Sequence, residues 1–246
     1  MAEINGWNYL FYETLGSTND EARKYCLLPH RKTLIRAAMQ TDGRGRRGRQ
    51  WISNAGNLFF SLALEFELKN SGMLVLISAL SVAQALEKLN KSQDIKLKWP
   101  NDVLLNRKKI SGILIEKGEG DYLIVGVGVN IVSAPENHEL LYPTTSLLQN
   151  GIDCSAEDFL RAFVHEFNLN LASVEQNRKE YLQSEWLKRA YNLGEKIVIH
   201  GEKNDEVGTF VGIDENMCLL LQQKGKIKKI LVGDVFFTKD NVHAGI

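Results

Sequence analysis

Nine consecutive residues, Gly43-Arg44-Gly45-Arg46-Arg47-Gly48-Arg49-Gln50-Trp51, hold the densest chemistry in this chain. Residues 42–51 set four arginines against one aspartate. Glycine tolerates φ > 0, so successive backbone N–H groups there can converge on an anion. Guanidinium groups add forked, permanently charged donors that suit phosphate. Four like charges so close repel one another, so the loop is expected to be mobile until an anion neutralises it. Composition alone equally allows a solvated charged turn, or an arginine–glycine segment of the kind that binds RNA.

Three more runs have residue types that could act with that loop. In Lys98-Trp99-Pro100-Asn101-Asp102, the proline ends a strand and holds Trp99 extended. Asn101 and Asp102 then sit on the following turn, where Asp102 could position a metal or an amine; a Pro-Asn-Asp turn without chemistry is the alternative. In Lys108-Lys109-Ile110-Ser111-Gly112-Ile113-Leu114-Ile115-Glu116, the lone glycine of an apolar strand suggests close approach of a ligand or another backbone. Lys109 could project toward the same place, or be a solvated lysine beside an Asn106-Arg107-Lys108 turn. In Gly126-Val127-Gly128-Val129-Asn130, alternating glycines strip one strand face and leave room for a flat group such as adenine. Asn130 could then read ring edges; tight packing is the alternative.

Some chemistries lack their residues. His30, His138, His165, His200 and His243 are scattered, with no zinc-type spacing. Neither GxSxG nor GxxxxGK[ST] occurs, which disfavours a serine hydrolase and a P-loop NTPase. Across 246 residues, 30 Lys+Arg balance 30 Asp+Glu, which argues against a broad basic face for nucleic acid. A 44% hydrophobic, 24% charged chain is globular rather than disordered. The longest apolar stretch, 73–86, is broken by Ser78, Ser81 and Gln84 and reads as too short to cross a bilayer. No Lys or Arg precedes Arg23, so the N-terminus is not a secretory signal. Three scattered cysteines, Cys26, Cys154 and Cys218, read as apolar fillers in a reduced cytoplasm.

The elements that must position these runs follow from periodicity. Residues 9–13, 34–40, 58–66, 96–99, 103–105, 110–116 and 122–131 read as strands, the third alternating around Phe60, Leu62 and Leu64. Ser17 and Thr18 offer helix caps, and Thr18 with Glu21 has capping-box spacing. Met73, Leu76, Leu80, Ala83 and Leu86 form one helical stripe; Phe159, Phe163, Phe167 and Leu171 form another, capped by Ser155. Residues 133–143 read as a polar loop and 181–191 as helical. From Gly194 the pattern becomes short β-runs, 196–200, 207–213, 218–221 and 228–232, separated by turns at His200-Gly201, Asp214-Glu215-Asn216 and Lys224-Gly225. The expected division is 1–192 and 193–246, the latter a small all-β barrel.

Taken in order, Ser17-Thr18-Asn19, Gln40 with the run at 43–51, KWPND at 98–102, KKISGILIE at 108–116 and GVGVN at 126–130 closely resemble the biotin protein ligases. Gly212-Ile213-Asp214 and Leu219-Leu220-Leu221 extend the likeness to the C-terminal part. The resemblance implies an α+β fold: a mixed-sheet catalytic domain, related to class II aminoacyl-tRNA synthetases and lipoate ligases, plus a C-terminal SH3-like barrel. It implies biotin and MgATP as substrates, biotinyl-5′-AMP as the bound intermediate, and transfer to a lysine of the biotin carboxyl carrier protein of acetyl-CoA carboxylase.

By the same resemblance, Lys109, Arg46 and Asp102 are the catalytic residues. Ser17, Thr18, Asn19, Gln40, Gly43, Arg44, Gly45, Trp51, Lys109 and Gly112 bind biotin. Arg44, Arg46, Arg47, Gly48, Trp51, Asn101, Lys109 and Asn130 bind ATP. Mg2+ arrives with ATP, without dedicated protein ligands. The loop is expected to close over the adenylate. Some relatives carry an N-terminal winged helix that represses transcription; here the first catalytic strand starts near Tyr9, so no operator binding is expected. The family's C-terminal segment often leads to an arginine near the nucleotide, where this chain reads Gly233-Asp234-Val235-Phe236-Phe237-Thr238. A cytoplasmic monomer or homodimer, without DNA or membrane partners, completes the expectation. Lipoate or octanoate transfer on the same fold, and an arginine-loop nucleic-acid module, are the alternatives.

Overall fold

Runs rich in β-branched, leucine and aromatic residues, punctuated by Asn-Gly and Asn-Arg turns, fold into two sheets. The computed structural model describes residues 2–27, 32–135, 143–200, 205–231 and 233–237. Its first sheet contains β1 (Ala2–Ile4), β2 (Trp7–Leu15), β3 (Thr33–Gln40), β4 (Leu58–Glu65), β5 (Ile95–Lys98), β6 (Asp102–Leu105), β7 (Lys108–Lys117) and β8 (Tyr122–Val129). They lie in the order β1-β2-β3-β4-β8-β7-β6-β5. The β2–β3 pair is parallel and the others are antiparallel, so the sheet is mixed. A parallel pair needs a crossover, and helix α1 (Thr18–Tyr25) lies within it.

Helices cover both faces of this sheet. Ala22 and Cys26, in and just after α1, pack with Ile35, Ala63, Tyr122 and Ile124. On the other face α2 (Ser71–Leu89), α3 (Ala156–Glu175) and α4 (Lys179–Lys188) join Phe60, Leu62 and Leu64 in the main core. Strand β4 is therefore buried on both sides, not on the alternating face that its pattern suggests. The aromatic stripe of α3 behaves as its spacing predicts, with Phe60 and Phe163 edge to face at 4.8 Å. Ser155 caps that helix by accepting from Asp158 N at 3.0 Å.

Three local expectations need correction. Ser17 is the N-cap of α1 but makes no side-chain capping bond, and Thr18 is already helical. The Thr18 donors turn to Gln40 instead. Asp102, expected on a turn, is the first residue of β6. Leu68–Leu89 is long and apolar enough to cross a membrane, although 73–86 reads as too short. Of its most apolar 18-residue window, 67% is buried inside the protein, where α2 is the central helix of the core.

The second sheet holds β9 (Lys196–His200), β10 (Asp205–Ile213), β11 (Leu219–Gln223), β12 (Lys226–Ile230) and β13 (Asp234–Phe237), ordered β12-β11-β10-β9-β13. All its pairings are antiparallel. Strand β13 is absent from the sequence reading. The two sheets are joined at specific points: Trp99 Nε1 donates to Met217 O at 2.9 Å, and Gln183 Nε2 donates to Ile213 O. Parts of several expectations lie outside the described residues: positions 136–142 of the polar loop, Gly201, Val232, Thr238, and His30, His138 and His243.

Candidate active site

Side chains on a strand alternate between faces, so residues 126, 128 and 130 of β8 and just beyond share one. Gly128 pairs with Gly112 on β7, and Gly112 pairs with Asp102 on β6. The glycine pair leaves a bare patch of backbone, and the indole of Trp51 lies on it. A Cβ added to Gly128 would stand 2.4 Å from that ring, and one on Gly112 would stand 3.0 Å from it. A Cβ on Gly126 would stand 2.4 Å from Asn19 Oδ1. The space read as room for adenine is thus occupied by the protein's own Trp51 and Asn19. A cavity of about 410 Å³ borders these residues.

Beside Gly126 the cavity wall is neutral and polar. Gln40 Oε1 accepts from Thr18 N at 2.8 Å and from Thr18 Oγ1 at 3.1 Å, while Gln40 Nε2 donates to Ser53. Ser61 Oγ lies 2.7 Å from Thr18 Oγ1 and 2.6 Å from Asn19 Oδ1. Asn19 Nδ2 donates to Glu116 Oε2 at 2.9 Å. Ser17, Thr18, Asn19 and Gln40, assigned to biotin by the resemblance, all border the cavity.

Beside Gly128 the wall is charged. Lys109 Nζ lies 2.7 Å from Asp102 Oδ1 and 5.4 Å from the centre of the Trp51 ring. A β-bulge brings lysine and aspartate together. The β6–β7 register runs Asp102 to Gly112 and Val103 to Ser111, then shifts to Leu104 with Lys109. Without that shift Ile110 would share the cleft face; it is instead fully buried in the core, and Lys109 takes its place. Bulges re-aim side chains in this way.

Asn101 ties two elements together. Its Oδ1 accepts from Arg46 at 3.3 Å, and its Nδ2 donates to Ile113 O at 2.7 Å. Asn130 Nδ2 donates to Thr145 O at 3.0 Å, and its buried Oδ1 has no partner among the described residues. Both asparagines border the cavity. Among the described residues no three His, Cys, Asp or Glu side chains gather as a metal site.

The arginine loop is a narrow hairpin. Gly45 N donates to Arg49 O at 2.6 Å and Trp51 N to Gly43 O at 2.9 Å, so these amides do not converge on an anion. At the tip, Arg47 (φ 56°) and Gly48 (φ 72°) are left-handed. Arg44 does not stand among repelling charges. It makes a two-pronged pair with Asp20, at 2.8 and 2.6 Å, with Glu116 at 3.5 Å and Asp42 at 3.7 Å. The Asp20 bond, aided by its charge and those of Glu116 and Asp42, raises the Arg44 pKa against a smaller opposing effect of burial.

Of the other assigned site residues, Arg44, Gly45, Arg46, Trp51, Lys109, Asp102 and Gly112 border the cavity. Gly43, Arg47 and Gly48 do not. Gly43 is packed beneath the returning strand, where an added Cβ would meet Trp51 O at 2.6 Å, and the other two form the outward tip. Sequence reasoning missed Arg49, whose charge in the same run was a usable signal. It assigned no binding role to Val235 on β13, although the 233–238 segment was singled out by comparison with the family's nucleotide-side segment.

Residues 13–130 match the model of the biotin/lipoate A/B protein ligase family. That match sets the class, a protein ligase of the biotin or lipoate kind. The biotin–[acetyl-CoA-carboxylase] ligase of Paracoccus denitrificans is 32% identical over 232 residues, covering 90% of this chain and 97% of that protein. The Aquifex aeolicus biotin protein ligase in complex with biotin and ATP superposes with a TM-score of 0.81 at 33% identity, covering 93% of this chain and 97% of that one. The Leishmania major enzyme in complex with biotinyl-5-AMP gives a TM-score of 0.68 at 25% identity, covering 92% and 99%. The chain belongs to this family, on its biotin protein ligase branch.

Proposed function

We propose that this chain is a two-step biotin ligase acting on a carrier-protein lysine. The observation that carries the reading is Lys109 beside Asp102 in a cleft roofed by the arginine loop. In the first step a biotin carboxylate oxygen attacks the α-phosphorus of MgATP. An acyl–O–P bond forms, the bond to the β-phosphate oxygen breaks, and pyrophosphate leaves with Mg2+. Two anions approach each other in that step, so Lys109 and Arg46 lower its barrier by offsetting their charge. In the second step the carrier amine attacks the acyl carbon. A C–N bond forms, the acyl–O–P bond breaks, AMP leaves, and the amine gives up a proton. The amine must reach the carbon neutral, and Asp102 supplies a carboxylate there to orient it and take up that proton.

The other residues bind and shield. Ser17, Thr18 and Gln40 present the donors and acceptors that a buried urea ring needs. Trp51 closes one side and excludes water from a hydrolysable anhydride. Asn130 Oδ1, which has no partner among the described residues, accepts from the amino group of adenine, since a buried acceptor without a partner is costly. The reading extends to an SH3-like barrel over 193–246, supported by five antiparallel strands with a bulge at Phe210/Gly212. A catalytic domain over 1–192 related to class II aminoacyl-tRNA synthetases, a cytoplasmic monomer or homodimer, and no operator DNA complete it.

Pyrophosphate exchange tests the reading. The pure protein is incubated with MgATP, labelled pyrophosphate and biotin, lipoate or neither. Label should enter ATP only with biotin. Exchange with lipoate instead, or none at all, overturns it.

A further inference from the structure

Arg44 has its guanidinium fork on Asp20, a residue of α1 and not of the loop. The residues before Asp20 in that helix, Thr18 and Asn19, border the cleft. A second carboxylate joins the two groups. Glu116 Oε2 on β7 accepts from Asn19 Nδ2 at 2.9 Å and lies 3.5 Å from Arg44. Asn19 is confined on its other side, where Oδ1 rests against Gly126 and Ser61. A displacement of the loop and a displacement of the polar wall therefore meet at a single carboxylate oxygen.

We propose that Asp20 and Glu116 are positioning residues that latch the arginine loop and couple its closure to the occupied polar end of the cleft. The coupling rests on the biotin-ligase reading above. Two features make this a latch and not a structural staple. The Asp20 side chain is 52% exposed, so its ion pair adds little to global stability and can open and re-form in water. The fork-on-fork geometry nevertheless fixes where the loop lands when it closes. Glu116, 25% exposed, holds Asn19, Arg44 and, also at 3.5 Å, Arg23 of α1, so a ligand that steadies Asn19 also steadies the acceptor facing the loop.

The test uses the full chain loaded with biotinyl-AMP from biotin and MgATP, then chased with unlabelled biotin. Asp20→Asn and Glu116→Gln should each release the adenylate about tenfold faster, the loss of one charge-assisted contact. Biotin KM in pyrophosphate exchange should stay within about twofold for Asp20→Asn, because the wall itself is intact. Raised salt should speed release from the wild type by a larger factor than from Asp20→Asn, which has already lost the exposed ion pair. Asp20→Glu, which keeps the charge, should restore most of the retention. Release at the wild-type rate in both charge-removing variants overturns the proposal. So does faster release accompanied by equal losses in thermal midpoint and biotin affinity, which marks a merely structural role. A wild-type chain that forms no adenylate overturns the underlying reading and the latch with it.

Discussion

Lys109 and Asp102 face each other across the β6–β7 hairpin, Nζ 2.7 Å from Oδ1, and only the register shift between Val103 and Leu104 puts them on one face. This pair places the cation of the first step beside the carboxylate of the second. Removing the two side chains should therefore give different defects. Lys109→Ala should lower biotin-dependent pyrophosphate exchange by about a hundredfold or more. Asp102→Ala should leave biotin binding and exchange much closer to wild type while slowing transfer to a carrier domain. Single-turnover transfer from preformed adenylate separates the two, and an unchanged transfer rate in Asp102→Ala refutes its role.

Arg46 meets Asn101 Oδ1 at 3.3 Å, which anchors the loop to the β5–β6 turn. Arg46→Gly removes that anchor and one cation. Adenylate formation should fall, and biotinyl-AMP should leave the enzyme faster. Retention as long as in the wild type, measured by filter binding after a chase, would mean that the loop is no lid.

Trp51 rests on Gly128 too closely for any side chain beneath it. Gly128→Ala should push the indole off the sheet and cost about 1–3 kcal/mol, the usual penalty for overpacking. Biotin affinity should fall with it. Urea denaturation and calorimetric titration with biotin check both, and unchanged values in both would show that the ring moves freely.

Asn130 retains a bond to Thr145 through Nδ2, while its Oδ1 has no partner among the described residues. Asn130→Asp keeps an acceptor but loses that donor, whereas Asn130→Leu loses both. Both variants should raise the KM for ATP in exchange, Asn130→Leu the more. The wild type should prefer ATP to GTP, which offers a carbonyl in place of the amino group. Equal use of the two nucleotides would remove Asn130 from base recognition.

The Arg44 hydrogen bond holds the Asp20 carboxyl below its usual pKa, with added pull from the charges of Arg44, Arg23 and Lys24 against a smaller effect of burial. A depressed carboxyl contributes fully above its unfolded pKa, and the contribution fades as pH falls through the folded value. The release-rate difference between wild type and Asp20→Asn should thus be constant from about pH 8 to 5 and shrink only in stronger acid. Stopped-flow release across that range gives the profile, and a difference that vanishes near neutrality contradicts it.

Much of this site was legible because its residue types are costly elsewhere. Most of the clustered arginines, a lysine beside a strand glycine, and Pro-Asn-Asp at a strand end meet at one cleft, with Arg47 left on the outward tip. Helix stripes such as Phe159, Phe163 and Phe167 also read directly, since a 3.6-residue period leaves little choice of buried face. Long-range geometry was the illegible part. Nothing local told that Gly128 makes room for Trp51 and not for a nucleotide base, because the occupant arrives from another strand's loop. The bulge exchanging Lys109 for Ile110 adds no residue type that a pattern could flag. Asp20 looked like an ordinary first-turn acid of α1, and its bond to Arg44 appears only when helix and loop are brought together.

Val235, on the last described strand, borders the same cleft as Thr18 near the other end of the chain. Synthesis runs from the N-terminus, so a growing chain carries the polar wall, the arginines and the Lys109–Asp102 pair well before this residue exists. The cavity is therefore completed only once β13 has been made, and a ribosome that stops short of Val235 leaves a cleft with every reactive group and an unfinished wall.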